Sequence, residues 1–417
     1  MTARRPSERS SLALVALLAL ACVGGPDTGP PQLPDWLPDD AHAGIEHPAL
    51  QRLLDEHWAW ALATHPTFAT RIGVRALDDR LGDASHEGVL RAREQLRRFA
   101  GRARRIQHEN LLSGLDASTI EIFASRIEND LATSVCEFHT WSIDPHLGNP
   151  LNAFNALPVI QTVVTEQDAA NLVARYRQIP RVLAERMENL RRGRDAGYVA
   201  NAEAVRLMID IIRRDLAEPG SPLLAPTEPE RPDWGAGMRD DFIAELREVV
   251  ETAVEPAFEA YAGFLREEIL PNARGPATEG VSGIPNGEHC YAALVRARTT
   301  LPGATADSLH KAGLNEISWI NAEMTAIAQD ELGETETAAL MWRLRMDPHL
   351  QFETGEEIVD SSRAALERAL AAIPESFGTL PQTSCEVVPV PAYRAPSTPA
   401  GYYTLTGPRD DRVGRFY

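Results

Sequence analysis

Across most of this sequence the apolar residues recur at three- and four-residue steps, and that spacing calls for amphipathic helices rather than strands. Leu50, Leu53, Leu54, Trp58 and Leu62 form the first such stripe. Leu90, Leu96 and Phe99 lie in a second, basic stretch from Glu87 to Ile106. A third runs from Ser118 to Leu131, and its opening Ser118-Thr119-Ile120-Glu121 fits a capping box. Thr165-Glu166-Gln167-Asp168 opens a further helix with Thr165 as cap and an acidic first turn. That helix runs towards Pro180; the next reaches about Arg192, with Gly193 placed to stop it. Asn201 opens another to about Leu216. A periodic segment from Arg239 to Leu270 should kink or split at Pro256. Thr305 caps a helix through Asp330, and Thr354-Gly355-Glu356-Glu357 is a capping box for a last one to about Ile373. The tryptophans at 58, 60, 141, 319 and 342 are expected as core anchors.

Two proline-rich stretches interrupt the helices, from Pro219 to Gly235 and from Pro271 to Gly287, and both predict loops. After Pro374 the character changes. Glu386 to Pro391 is short and β-prone. Gly401 to Leu405 and Val413 to Tyr417 predict strands flanking a turn at Gly407 to Asp411. The expected fold class is therefore mainly α, a large helical domain with a small β element at its C-terminus.

The N-terminal residues carry an address rather than a fold. Arg4, Arg5 and Arg9 precede an unbroken apolar run from Leu12 to Ala21. A spanning helix needs about 20 apolar residues, so a run this short fits the core of a signal peptide. Ala19-Leu20-Ala21-Cys22 resembles a bacterial lipobox, with Cys22 as the lipidated new N-terminus; an ordinary signal peptide with a chance cysteine is the alternative. Residues 1–21 are thus expected as a lipoprotein signal peptide and 22–43 as a Pro/Gly-rich tether, with the helical domain over 44–417. The tether composition cannot bury enough apolar surface to order itself. Cys22 would anchor the chain by lipid to a membrane of the cell envelope, the domain facing the periplasm or the cell surface.

Charge narrows the partners. The formal net charge is −19, and removal of the signal, net +2, leaves −21. Such acidity argues against nucleic-acid binding, which needs clustered basic charge, and against docking of the protein surface on anionic lipid. Cys136, Cys290 and Cys385 follow Cys22. One disulfide with one free thiol, or three buried thiols, both satisfy the sequence.

Chemistry is sparse. A zinc-peptidase helix places two histidines four residues apart with a glutamate between them. His86-Glu87 and His108-Glu109 begin that pattern, but Leu90 and Leu112 stand where the second histidine belongs. Cys136-Glu137-Phe138-His139, with Asp144 and His146 nearby, contains competent zinc ligands, or else a packed Cys136 beside histidines at a loop edge. His289-Cys290 holds a thiol next to a base, although adjacent side chains rarely face one another. No G-x-S-x-G, phosphate-binding glycine loop or dinucleotide fingerprint occurs.

The order of short motifs is more specific. His65-Pro66-Thr67-Phe68-Ala69-Thr70 precedes Gly73-Val74 and Leu77-Asp78-Asp79. Asp144-Pro145 precedes Tyr176-Arg177-Gln178-Ile179-Pro180, followed by Pro256-Ala257-Phe258 with Tyr261 and Phe264-Leu265. Then come Ile284-Pro285-Asn286-Gly287 with Tyr291, Leu309 to Ile317, and Glu323-Met324. Val388-Pro389-Val390-Pro391, Ala400-Gly401-Tyr402-Tyr403 and Arg412 to Tyr417 complete the run. From about residue 50 onward this resembles the domain-of-unknown-function family 885, bacterial proteins often exported as lipoproteins. Members are similar to H-E-x-x-H zinc metallopeptidases, and the resemblance implies zinc for complete members, on a helix that follows the strand matching Val413 to Tyr417. This sequence ends before that helix, so it offers no catalytic or metal-binding residue and no cofactor of its own. By the same resemblance Tyr402, Tyr403, Arg415 and Tyr417 would border a substrate cleft, or be plain strand packing. The expected function is the front part of a zinc-metallopeptidase-like envelope lipoprotein, not catalytic alone. Its partners would be a peptide substrate and a C-terminal fragment that completes the fold. The alternatives are a non-catalytic peptide- or partner-binding lipoprotein, and an enzyme built around Cys136, His139 and His146.

Overall fold

The computed structural model describes residues 33–38, 41–109, 112–145, 150–278, 280–378, 380, 383–390, 401–404 and 413–417. The first stripe folds as α1 (Pro48–Thr64) and buries Leu50, Leu53 and Leu62. Helix α2 (Pro66–Arg71) follows after a single residue. Next come α3 (His86–Glu109) and α4 (Gly114–Thr133), which pack on each other and, through α3, on α1. Phe99, Ala103, Ile120 and Ile127 join Leu50 and Leu53 in their shared core. Ser118 is not the cap of α4: the helix begins four residues earlier, behind Ser113. The Ser118 hydroxyl instead donates back to the Gly114 carbonyl, the ordinary outlet for a mid-helix serine.

A second and larger core forms from short helices α5 (Pro150–Asn155) and α6 (Leu157–Ile160) with α7 (Glu166–Tyr176), α8 (Ile179–Asp195) and α9 (Ala202–Ala217). Thr165 and Asp168 cap α7 reciprocally, and the Asn201 side chain accepts from two backbone N–H groups to start α9. Gly193 does not end α8. It lies inside the helix where the backbone of Phe138–Thr140 crosses so closely that a Cβ would fall 1.9 Å from the Thr140 carbonyl oxygen. The glycine is there for that approach, not for termination.

Helices α10 (Ala236–Val249) and α11 (Glu255–Phe264) complete the second core. Around Pro256 the segment divides, with a π-helical turn, Val250–Val254, between α10 and α11 and the proline in the first turn of α11. The wider turn removes the clash that a proline would make with a regular ladder.

Arg175 is the polar centre of this region and is fully buried. Its guanidinium donates to the Leu77 carbonyl (2.6 Å), Gln161 Oε1 (2.7 Å), Thr70 Oγ1 (2.9 Å) and the Arg80 carbonyl (3.1 Å). Asp78 Oδ1 lies 3.8 Å away and supplies the counter-charge. Burial lowers its pKa to about 10, partly opposed by Asp78, so it stays charged at neutral pH. This one side chain ties the loop after α2 to α7.

Helix α12 (Gly287–Thr299) packs on α4. Beyond it α13 (Ala306–Leu332), α14 (Thr337–Met346) and α15 (Gly355–Ser376) bury almost nothing, only Ala328 and Leu340. Trp319 and Trp342 are therefore not core anchors but stand 59% and 65% exposed. Thr305 and Thr354 cap α13 and α15 in capping boxes. The small β element is a three-stranded sheet of β1 (Cys385–Val387), β2 (Tyr403–Thr404) and β3 (Gly414–Phe416), ordered β1-β3-β2. β1 runs parallel to β3 and β2 antiparallel, with Tyr403 opposite Phe416. β1 also rests against α15. The fold is mainly α, as the periodicity predicts.

Candidate binding cleft

Between the core of α1, α3 and α4 and the larger core lies a cleft of about 1270 Å³. Leu54, Leu96 and Ile127 face it from the first core, Phe154 and Val182 from the second. Aromatic side chains supply much of the wall. Trp58 meets Phe68 edge-on at 6.0 Å, and His57 meets Phe99 at 5.2 Å and Phe123 at 4.9 Å in the same way. Such edge-to-face contacts hold rings rigidly.

The turn after α4 supplies part of the cleft's polar lining, Ser134, Glu137 and His139. Glu137 joins the 3-10 turns Ser134–Cys136 and Phe138–Thr140 with a left-handed backbone, φ +48°. A non-glycine residue there costs about 1–2 kcal/mol, and Arg93 of α3 offsets it. The Arg93 guanidinium donates to both Glu137 carboxylate oxygens at 2.8 and 3.0 Å, and to the Ser134 carbonyl at 3.2 Å. His139 follows. Its Nε2 is 2.9 Å from Nδ1 of His86, while its own Nδ1 faces Glu137 Oε2 at 3.5 Å. Burial pushes the His139 pKa down to about 4; the Glu137 charge opposes this, and Arg93 and His86 add to it. A neutral His139 with its proton on Nδ1 satisfies both neighbours, accepting from His86 at Nε2. His57 is likewise held near 4, by burial first and by Arg126 second.

The remaining charges are mostly paired. Arg126 meets Asp130 at 3.4 Å, and Asp83 pairs with Arg91. Arg186 of α8 is different. It lines the cleft one turn after Val182, and its buried Nε meets no hydrogen-bond partner among the described residues.

Cys136 and Cys290 form a disulfide with Cα atoms 4.8 Å apart, and Cys385 is free. That settles the choice left open by the cysteine count. It also removes two chemical readings. A disulfide sulfur is not a thiolate, so Cys136 is neither a zinc ligand with His139 nor is Cys290 a nucleophile beside His289. His146 lies outside the described residues. Among those described, no three His, Cys, Asp or Glu side chains converge as a metal site, so the described residues do not fit the zinc that the family resemblance implies.

The strand residues named from sequence gather in one place, away from the cleft lining. The Tyr402 ring stacks on Tyr417 at 4.8 Å, and their backbones exchange hydrogen bonds of 2.8 and 3.1 Å. Arg415 Nε donates to Glu386 Oε1 of β1 at 2.5 Å, and that bond raises the arginine pKa. Tyr403 is half exposed on the edge strand. Cys22 lies outside the described residues. The cleft itself escaped the sequence, because His57 of α1, Glu137 and His139 of the turn after α4, and Arg186 of α8 are brought together from three separate segments. The one local signal was the His57-Trp58-Ala59-Trp60 run.

The model of a bacterial protein family of unknown function, DUF885, matches residues 66–417. No curated protein matches the sequence. In fold the chain is similar to the crystal structure of a lipoprotein candidate from Colwellia psychrerythraea, with a TM-score of 0.77. The identity is 17%, and the match covers 88% of this chain and 67% of that one.

Proposed function

This chain belongs to DUF885, a family of bacterial proteins of unknown function, and from that membership we propose that it is the front, peptide-handling part of a zinc-metallopeptidase-like envelope lipoprotein, not catalytic by itself. The observation that carries this reading is the apolar face of α13. Leu314, Ile317, Ile320 and Ile327 recur at helical spacing, and all are exposed. A helix stays folded mainly through packing of its apolar face, and an exposed face of this extent marks an interaction surface. Polypeptide equivalent to the part of the Colwellia chain outside the match is the natural cover. A metal helix would come with that cover. The present chain would supply the wall of the groove and an edge strand, β2, along which an extended peptide can pair. The Cys22 lipid anchor and an envelope location belong to the same proposal, supported by the lipobox and by the name of the Colwellia neighbour.

The test is hydrolysis. The lipidated chain, purified in detergent and supplied with zinc, is expected to leave a mixed fluorogenic peptide library intact. Zinc-dependent, chelator-sensitive cleavage by this chain alone would overturn the reading. Metabolic labelling with a fatty acid, lost in Cys22→Ser, checks the anchor separately. A second reading, a binding lipoprotein with no catalytic role, is favoured by the aromatic cleft, which is built entirely from residues of this chain.

A further inference from the structure

We infer that the cleft between the two helical cores is a binding site for an apolar molecule carrying one carboxylate, with the Arg186 guanidinium as its counter-charge. The inference rests on the cleft alone and stands whether or not the peptidase reading does.

The charge balance leads to it. Glu137 occupies two donors of Arg93, and the Ser134 carbonyl takes another. Asp130 offsets Arg126, and Arg91 offsets Asp83. The two enclosed imidazoles, His57 and His139, carry no charge at neutral pH. Among the described residues that line the cleft, Arg186 is the one arginine with no ion pair; its enclosed Nε has no hydrogen-bond partner, and its charge is felt by Tyr261 of the larger core. A guanidinium with no ion pair is satisfied best by a planar two-oxygen anion.

The walls specify the rest of the molecule. Trp58, Phe68, Phe123, Leu54 and Phe154 offer apolar and aromatic surface. A strongly hydrated ligand such as a sugar or a nucleotide would strip its water against them with little return. An acyl chain, or a short peptide with apolar side chains and a free C-terminus, meets the same surface favourably. The volume, about 1270 Å³, accommodates either. Position on the helix agrees: Val182 and Arg186 stand four residues apart on one face of α8, so an apolar contact and the cation point the same way.

Isothermal titration calorimetry on the purified chain tests this with four probes: palmitate, palmitamide, N-acetyl-Leu-Phe-Leu, and the amide of that tripeptide. One carboxylate is expected to bind at one molecule per chain, and its amide at least about tenfold more weakly. Which of the two carboxylates binds identifies the source as lipid or peptide. Arg186→Met is expected to weaken the binding carboxylate about tenfold or more and leave its amide unchanged. Ala61→Trp keeps Arg186 and narrows the cleft at its apolar wall, so it should weaken the binding carboxylate and its amide alike, and it decides the matter if Arg186→Met fails to fold. Binding of neither carboxylate at millimolar concentration, equal binding of acid and amide, or wild-type affinity in Ala61→Trp would each overturn the inference.

Discussion

Cys136 is bonded to Cys290 across 154 residues of sequence, joining the turn that closes α4 to the first turns of α12. Both cysteines are fully buried, so the bridge lies within packed structure and not on a mobile surface. It also fixes the turn that presents Glu137 and His139 to the cleft. A bond of this kind is maintained in an oxidising compartment, which agrees with the envelope location proposed above.

Removing that bridge gives the first prediction. Cross-links that close long loops stabilise mainly by restricting the unfolded chain, typically by about 2–4 kcal/mol. The Cys136→Ser/Cys290→Ser double variant should therefore lose about that much in urea denaturation. Reductant should lower the midpoint of the wild type and leave the variant unmoved. A reductant-insensitive wild type would mean that the bond contributes nothing.

Arg175 supports a sharper expectation. Replacing it with methionine keeps the bulk but strips partners from Thr70, Gln161, two backbone carbonyls and Asp78. Breaking a buried pair on one side costs about 3–5 kcal/mol. Arg175→Lys should rescue little, because an ammonium cannot reach four acceptors arranged around a planar fork. Equilibrium unfolding of the two variants should give similar, large losses; a loss under about 1 kcal/mol in either would refute the role assigned to this residue.

Acid sensitivity follows from the cleft histidines. His57 and His139 have folded pKa values near 4, against 6.5 in the unfolded chain. Between these values the unfolded state binds more protons. Stability is therefore fully present above pH 6.5 and falls as the pH drops towards about 4. For a fully enclosed ring the drop would be about 3 kcal/mol; partial exposure of both rings cuts this to about 1 kcal/mol each. Denaturation midpoints measured from pH 7.5 down to 4 should decline, and His57→Phe with His139→Gln should flatten the decline. An unchanged slope in the double variant would place the acid sensitivity elsewhere.

Local signals carried much of the fold. Thr165, Asn201, Thr305 and Thr354 cap helices in the structure as their neighbours in sequence predict. Where prediction failed, a tertiary contact outweighed the local signal. Gly193 looks like a helix stop until the Thr140 backbone is seen against it. The pairing of Cys136 with Cys290 depends on how α12 meets α4, which no spacing encodes. The cleft was opaque for the same reason. Arg186 and His139 acquire meaning only from what the fold places beside them.

The exposed faces of α13 and α14 make the last prediction. Leu314 and Ile317 lie on one side of α13, with Trp319 close by in sequence and Trp342 on α14, and each is more than half exposed. Surface of that kind in water is relieved by association. The purified chain should therefore bind a hydrophobic dye and sediment as larger species as its concentration rises. Leu314→Glu, Trp319→Glu and Trp342→Glu together should reduce both effects while leaving thermal stability within about 0.5 kcal/mol, the usual range for surface substitutions. If the triple variant melts early, these side chains are already packed within the chain itself, and α13 and α14 have no unmet surface to offer a partner. If it is stable and monomeric, the apolar face is available, and adding polypeptide that matches the remainder of the Colwellia chain should protect α13 from proteolysis in the wild type and not in the variant.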